Sequence, residues 1–505
     1  MPPADRAPRE PAGQTPRRGV VGIARARLSR EVEPDVRGPS RLRRAAYSIG
    51  LALLPVAVLL LFFDLGSRVL STNDETRFPL LARDILARGD WLLPHLNGSV
   101  YLNKPPLYAW LVALASWPGG AVTQSTAALP SLLAALGVVV LTSWIARRLL
   151  DPGAGLGAGL IAVTMYGVFT LARVPMPDMT LCCAFTGAMG AFVAAEFGRR
   201  RAALLAFYAL VAVAFWAKGP AGLLPIAIAV VYTLVTHGRS GWRRVVSVPG
   251  ILLLLLSIAA WWLLGLGAGR QAFTEGVVRT DMLGWYLPSG GMSWRALTEP
   301  FAQTVTVLLP WTIVLPFAIW GALRAQPTDP EQSRPARLLL IWAGVVFVAI
   351  GASLQQRMRY HLPLCPPVAI LIAAWCARVR LRRRRAVFTG VSVVVAVALV
   401  AWQAAAGARH NAATDLRGVT REVRRAPAPL YAVEMPELVF AFYLDAPVVL
   451  LRGDRPLEQY LADARDGYLV IANRMLPSTD GAVLVRPVVA DGIVGGRRFS
   501  VFAKE

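Results

Sequence analysis

Lysine is nearly missing from this chain. Of its 53 basic residues, only Lys104, Lys218 and Lys504 are lysine, and the rest are arginine. Arginine therefore fills any position that needs only positive charge. A lysine that persists points to a need for a compact, strongly hydrated cation on a flexible stem. Lys104 lies in Tyr101-Leu102-Asn103-Lys104-Pro105-Pro106, and Lys218 in Phe215-Trp216-Ala217-Lys218-Gly219-Pro220, within a strongly apolar region. A cation beside a membrane segment is costly and usually functional; the plainer reading is a lysine snorkelling from a helix end. Lys504 reads as incidental. Cysteine is scarce too. Cys182, Cys183, Cys365 and Cys376 all fall in apolar runs with no CxxC spacing, which excludes a disulfide framework and a zinc ribbon. None of the four histidines has another histidine or a carboxylate at i+3 or i+4.

Charged residues make up 16% of the chain and apolar ones 55%. Several apolar runs approach the roughly 20 residues that span a bilayer. The composition is that of a polytopic α-helical membrane protein. The net charge of +23 does not indicate a nucleic-acid partner, because the arginines cluster between apolar runs in the positive-inside pattern. Residues 1–45, rich in Pro, Gly and Arg, read as a disordered basic cytoplasmic tail resting on membrane lipids. The run from Tyr47 to Leu65 reads as a signal anchor. Its flank Arg41-Leu42-Arg43-Arg44 places the N-terminus in the cytoplasm.

Further cytoplasmic clusters are Arg147-Arg148, Arg199-Arg200-Arg201, Arg239 with Arg243-Arg244, Arg324 with Arg334 and Arg337, and Arg378 to Arg385. Spans consistent with them fall at 47–66, 130–149, 153–172, 178–196, 202–217, 219–236, 247–266, 301–323, 336–354, 361–377 and 386–406. Residues 46–406 thus form the membrane domain, with an outer loop at 67–129. The same alternation gathers Asp74, Glu75, Lys104, Asp178, Lys218, Arg357, Arg359 and Tyr360 on the outer face.

The outer loop is the most informative stretch. Ser71-Thr72-Asn73-Asp74 offers capping side chains. Phe78, Leu81, Ala82, Ile85 and Leu86 recur at helical spacing opposite Arg83, Asp84 and Arg88. Gly89 supplies a stop, and Pro79 requires a place in the first turn. Asp74 and Glu75 are adjacent and do not share a helix face, so at most one points into a central cavity. Leu107–Trp117 is too short to span comfortably and reads as interfacial.

The segment from Asn73-Asp74-Glu75-Thr76-Arg77-Phe78 through Ala87-Arg88-Gly89-Asp90-Trp91 to Tyr101-Leu102-Asn103-Lys104-Pro105-Pro106 resembles the polyprenyl-phosphate-sugar glycosyltransferases of the GT-C type. That group includes aminoarabinose transferases acting on lipid A and protein O-mannosyltransferases. Pro177-Asp178, Lys218-Gly219-Pro220, Leu309-Pro310-Trp311 with Leu315-Pro316, and Arg359-Tyr360-His361-Leu362-Pro363-Leu364 match in family order. The resemblance implies a GT-C-like bundle of about 11–13 spans in the cytoplasmic (inner) membrane. It implies inverting transfer of a sugar from a polyprenyl-phosphate donor to an envelope glycolipid, glycan or protein acceptor. By motif position, Asp74 is the catalytic base and Asp178 shapes the acceptor side or orients a cation. Lys104 binds the donor phosphate, with Arg359 and Tyr360 as further phosphate contacts; Lys218 is a weaker phosphate candidate or a brace of the cavity, and Glu75 and Arg357 are further substrate-binding candidates. No cofactor is implied beyond a divalent metal whose ligands are unsupported. Asn103 stands where many relatives carry a glutamate that ligates metal with a later histidine, and residues 267–300 contain no histidine. Ala128-Leu129 replaces the family's Arg-Leu before Pro130-Ser131.

Trp285, Tyr286, Trp294 and Arg295, with Gly290-Gly291, suit either an outer loop that covers a lipid entrance and contacts sugar faces or an ordinary interfacial aromatic loop. After about residue 407 the composition changes. Strands are expected at Leu430–Val433, Val448–Leu451, Tyr468–Ala472, Val483–Val485 and Phe499–Ala503, with helices at Pro456–Ala464 and Glu437–Tyr443. Residues 407–505 read as a small extracytoplasmic α/β domain capping the bundle. The alternative function is a polytopic transporter or lipid flippase. That reading predicts internal repeats and midplane charges, and a convincing repeat is lacking. A non-catalytic envelope scaffold is disfavoured by the retained Asp74 and Lys104.

Overall fold

The computed structural model describes residues 53–275, 277, 294–324, 330–353, 355–378, 384–453, 456–476 and 487–503. The tail 1–45, Lys504, Trp285, Tyr286, Gly290, Gly291 and the strand expected at Val483–Val485 lie outside the described residues.

Apolar segments fold as helices because a backbone in hydrocarbon must satisfy its polar groups internally. α1 (Leu53–Phe62) leads into α2 (Asn73–Arg88), a two-stranded hairpin of β1 (His95–Leu96) and β2 (Ser99–Val100), and α3 (Leu107–Ser116). The bundle continues through α4 (Gln124–Leu149), α5 (Pro152–Val163), α6 (Tyr166–Leu171), α7 (Pro177–Glu196), α8 (Ala203–Lys218) and α9 (Leu224–His237). It is completed by α10 (Val248–Phe273), α11 (Trp294–Leu308), α12 (Leu315–Arg324), α13 (Pro330–Gly351), α14 (Cys365–Arg378) and α15 (Arg384–Ala412). The core lies where α7 packs between α4 and α8 and where α5 meets α4 and α14. Small residues along α7, among them Ala184, Gly187, Ala188 and Ala191, permit that close approach.

Among the described residues, seven helical stretches are long and apolar enough to cross a membrane, and eight if one bent pair counts as a span. The chain is a multi-pass membrane protein. The expected spans differ from these at particular places. The segment 301–323 is two helices meeting at 114°, because Pro310 and Pro316 interrupt it. The segment 153–172 breaks after Val163, where Tyr166 N donates to Leu309 O at 2.8 Å. The stretch Ala203–His237 passes the length test as one piece but reverses at Gly219. Lys218 meets Asp178 at the start of α7, whereas His237 Nε2 lies 2.6 Å from Glu196 Oε1 at its end.

The reversal depends on two glycines. Gly219 adopts φ +71°, which an L side chain rarely tolerates. A Cβ on Gly222 would fall 2.3 Å from the Phe215 amide nitrogen. Gly222→Ala is therefore expected to destabilise the protein by about 1–3 kcal/mol. A thermal unfolding scan of the purified protein, with Ala221→Gly as comparison, checks this.

α2 begins earlier than Pro79 suggests. The Thr72 side chain accepts from Glu75 N, and Gly89 closes the helix at φ 75°. Pro79 thus sits in the second turn, where its missing N–H leaves the Glu75 carbonyl without a helical donor. Pro79 is buried there.

The C-terminal part is α/β. α16 (Arg417–Arg425), β3 (Leu430–Val433), α17 (Glu437–Leu444), β4 (Val448–Leu451), α18 (Leu457–Asp463), β5 (Tyr468–Ala472), β6 (Val488–Val494) and β7 (Arg497–Phe502) follow in order. The sheet order is β4-β3-β5-β7-β6. β3 is parallel to both neighbours, and β7 is antiparallel to β5 and β6. β6, with Asp491 and Gly492 at its centre, lacks a strand-like sequence and went unanticipated. The domain docks on α2 and the hairpin. Asn73 Nδ2 donates to Glu437 Oε2 at 2.8 Å, Arg83 pairs with Asp445 at 2.7 Å, and Asn97 Nδ2 donates to Val448 O at 2.7 Å.

Candidate active site

A cavity of about 590 Å³ opens where α2, the loop before α3, the start of α7, the end of α8 and the turn Met358–Leu364 converge beneath the C-terminal domain. Each element delivers its polar residue by local rules. The N-terminal turn of α2 carries Asp74 beside the Thr72 cap. Pro177 starts α7 and places Asp178 in its first turn, where the helix dipole favours a carboxylate. Lys218 ends α8, where the dipole favours a cation. Ser131 fixes the α7 start: its hydroxyl donates to Met176 O at 3.0 Å and meets the Tyr108 hydroxyl at 2.8 Å. His361 is buried and pinned, with Nδ1 2.9 Å from Thr304 Oγ1 and Nε2 3.1 Å from Gln356 Oε1. It locks the turn that presents Arg359 and Tyr360.

The charges form a network. Arg359 Nη2 donates to Asp74 Oδ2 at 2.9 Å, and Arg359 Nε lies 3.7 Å from Asp178 Oδ2. Arg77 reaches the other oxygen of Asp74 at 3.2 Å. Lys218 pairs with Asp178, both nearly buried, and its ammonium lies 4.0 Å from the centre of the Tyr360 ring. Arg359 bridges the two carboxylates and stacks against the same ring at 5.3 Å. Burial alone would push the Asp74 carboxyl up, but Arg359, Arg77 and Arg357 overcome it and hold the group below its ordinary value of 3.8.

Asp74, Lys104, Asp178, Lys218, Arg357, Arg359 and Tyr360 all line this cavity. Glu75 does not. It is buried on the other side of α2, where it pairs with Arg68 and accepts from Ser71 N at 2.9 Å. It braces the loop before the helix rather than facing a substrate. The separation follows from the helical repeat, since adjacent residues diverge by about 100°. The cavity also holds Arg77, Asn97, Tyr101, Gln355, Glu437 and Arg452, which sequence reasoning missed. Arg77 was legible as the i+3 neighbour of Asp74. Glu437 and Arg452 come from the C-terminal domain and become visible only once it docks.

Six cations (Arg77, Lys104, Lys218, Arg357, Arg359, Arg452) face three carboxylates (Asp74, Asp178, Glu437), so the cavity favours an anion. The carboxylates do not suit a divalent metal. Asp74 and Asp178 are paired with arginine or lysine, and Glu437 accepts from the Asn73 amide. Among the described residues no group of three His, Cys, Asp or Glu is arranged to hold one.

A second, largely apolar cavity of about 200 Å³ adjoins the first. It shares Asn103, Lys104, Lys218 and Tyr360 with it and continues along Pro105, Leu181, Pro220, Leu224, Trp261 and Ile350. Both lysines therefore stand at the junction between a polar chamber and a greasy groove.

Residues 103–264 match the family model for dolichyl-phosphate-mannose-protein mannosyltransferase. An undecaprenyl phosphate-alpha-4-amino-4-deoxy-L-arabinose arabinosyl transferase from Edwardsiella ictaluri is 27% identical over 64% of this chain and 58% of its own length. A second such transferase from Proteus mirabilis is 26% identical over 71% of this chain and 66% of its own. The chain thus matches about three fifths of the length of the Edwardsiella relative. ArnT from Cupriavidus metallidurans in the apo state superposes with a TM-score of 0.74 at 21% identity, covering 91% of this chain and 98% of that one. The apo oligosaccharyltransferase of Archaeoglobus fulgidus gives 0.55 at 14% identity, covering 85% and 70%. The chain thus has the fold of these GT-C structures and is similar in sequence to the arabinosyl transferases over about two thirds of its length.

Proposed function

We propose that this protein is an inverting glycosyltransferase that takes its sugar from a polyprenyl-phosphate donor. The observation that carries the proposal is the junction of an apolar groove with a cationic chamber at Lys104 and Lys218. A polyprenyl phosphate has the same division, an apolar chain ending in an anion. Crystalline ArnT from Cupriavidus metallidurans holds bound undecaprenyl phosphate, and the arabinosyl transferase relatives are named for that carrier. The cavity faces the outer side of the cytoplasmic membrane, with the N-terminus inside and the C-terminal domain outside. The arginine clusters at Arg147-Arg148 and Arg199–Arg201, at the far ends of α4 and α7 from the site, support that orientation.

The acceptor is an envelope glycolipid, glycan or protein bearing a hydroxyl. Its oxygen attacks the anomeric carbon of the sugar, a carbon–oxygen bond forms, and the bond to phosphate breaks. Polyprenyl phosphate leaves with that electron pair, while the hydroxyl proton passes to the Asp74 carboxylate. Lys104, Arg357 and Arg359 stabilise the charge that grows on the leaving phosphate. Asp178 and Lys218 hold each other and brace Tyr360 and Arg359.

A carboxylate held below 3.8 is a weak base, so Arg359 has a second task. Donor phosphate competes with Asp74 for Arg359. As the guanidinium turns to phosphate, Asp74 loses its strongest cation and its proton affinity rises, because burial then acts with less opposition. Arg359→Gln makes that release permanent. The sign follows directly. With Arg359 present, the free enzyme keeps Asp74 ionised down to below pH 3.8, so activity is lost only as pH falls through that depressed value. In Arg359→Gln the acid limb of kcat/KM is expected at higher pH, alongside weaker donor binding. An unchanged limb would contradict the coupling. Inversion has its own test: an α-linked donor is expected to give a β-linked product, and retention of configuration would sink the mechanism.

A further inference from the structure

α7 joins the catalytic cavity to a second polar cavity at its far end. Asp178 stands in its first turn and Glu196 is its last residue. Its 20 residues carry the chain about 30 Å. The far cavity measures about 400 Å³ and is lined by four arginines (Arg199, Arg201, Arg244, Arg334) and two glutamates (Glu196, Glu331). These come from three places distant in sequence: the turn after α7, the turn Gly241–Arg244, and the start of α13. The walls are held in place. Arg199 takes φ 53°, and the Arg200 amide reaches back to Ala194 O at 3.4 Å, which closes the chain tightly over the helix end. A Cβ on Gly241 would fall 2.0 Å from Thr233 O, so the turn bearing Arg244 lies directly on α9.

Both carboxylates already have partners. Glu196, its side chain 5% exposed, lies 2.6 Å from His237 Nε2 and 3.5 Å from Arg244. Glu331 pairs with Arg334 at 2.8 Å. Arg199 and Arg201 are exposed, and among the described residues no carboxylate pairs with either. α8 and α13 begin beside the cavity whereas α7 ends there, so the helix dipoles largely offset one another and the side chains set its sign. Arginines that only fix topology need to lie on the cytoplasmic side of a span; nothing in that role gathers three segments around one cavity. Its volume falls within the roughly 300–1,000 Å³ of small-molecule sites. We propose that this cavity binds a phosphate-bearing anion from the cytoplasmic side, supplied as the headgroup of an inner-leaflet lipid or as soluble phosphate. Arginine suits the task because its planar fork pairs bidentately with phosphate oxygens. The side of the membrane follows from the orientation proposed above; the site itself does not depend on the glycosyltransferase reading.

The test has two arms, both on the full chain. In the first, phosphatidylcholine nanodiscs carry a trace of phosphatidylglycerol with a photoreactive group on its head glycerol, and cross-linked peptides are mapped by mass spectrometry. In the second, radiolabelled inorganic phosphate is titrated into detergent-solubilised Lys104→Ala protein, in which the catalytic phosphate contact is weakened. R199Q/R201Q, introduced in each arm, is expected to lower affinity about thirtyfold, with an unchanged thermal midpoint because both side chains are exposed. R199K/R201K is expected to keep most of the affinity. Cross-links within 192–201 and 241–244 that unlabelled phosphatidylglycerol displaces and phosphatidylcholine does not, with phosphate binding insensitive to R199Q/R201Q, assign the site to a lipid headgroup. Phosphate binding that falls in R199Q/R201Q assigns it to soluble phosphate. Either result supports the site. It is overturned if wild type and R199Q/R201Q bind equally in both arms, or if phosphatidylcholine displaces the cross-links as well as phosphatidylglycerol and phosphate binding is unmoved.

Discussion

Asp74→Asn is expected to lower sugar transfer by about 100- to 10,000-fold, the range for losing a general base, while leaving the fold intact and donor binding as tight or tighter, since Arg359 is freed for the phosphate. The structural cost is small for identifiable reasons. The Asp74 side chain is 34% exposed, so its ion pairs contribute little to stability. Arg359 keeps Asp178 within 3.7 Å when Asp74 is neutralised, and an asparagine at the second position of α2 is compatible with the helix start. The effect should therefore appear in kcat, not in the melting profile. Transfer rates measured beside donor affinity and a thermal scan separate the two. A variant that is folded, binds donor and still transfers at the wild-type rate removes Asp74 from the base role.

The second large effect is on binding. Lys104→Ala removes a cation at the junction of the polar and apolar cavities. One hydrogen bond to a charged group contributes about 1.5–3 kcal/mol, so donor affinity is expected to fall roughly 10- to 100-fold. Lys104→Arg should restore only part of it, because the chain uses arginine almost everywhere else and keeps lysine here. A guanidinium is larger and planar, and it cannot place a point charge at the same depth. Titration of a polyprenyl phosphate into wild type, Lys104→Ala and Lys104→Arg in detergent checks both statements. Equal affinity in all three overturns the phosphate contact.

Much of this site was legible because its residues broke local rules. Two lysines in a nearly lysine-free chain, and polar residues at the ends of apolar runs, are costly choices that pattern alone exposes. The α2 face was readable from its spacing, and Gly89 from the need for a positive φ. The strands Leu430–Val433, Val448–Leu451 and Tyr468–Ala472 carry enough β-branched and aromatic residues to declare themselves. What remained hidden depended on contacts between distant segments. That Asp74 and Glu75 face apart was legible from their adjacency, but which of them turns inward was not; the helix turns Glu75 toward Arg68. The bend inside 301–323 comes instead from Pro310 and Pro316, breakers that a count of apolar residues does not register. The C-terminal domain read as a cap, whereas Glu437 and Arg452 place it in the wall of the cavity. No local signal in those residues distinguishes a wall from a surface.

The central claim is transfer from a lipid-linked sugar that depends on Asp74. Purified protein in liposomes, offered a panel of radiolabelled polyprenyl-phosphate sugars and total envelope acceptors, tests it most directly. The account predicts label in acceptor from at least one donor, one polyprenyl phosphate released per sugar moved, and loss of both in Asp74→Asn. Folded wild-type protein that labels nothing from any donor, or labels equally well as Asp74→Asn, would contradict it.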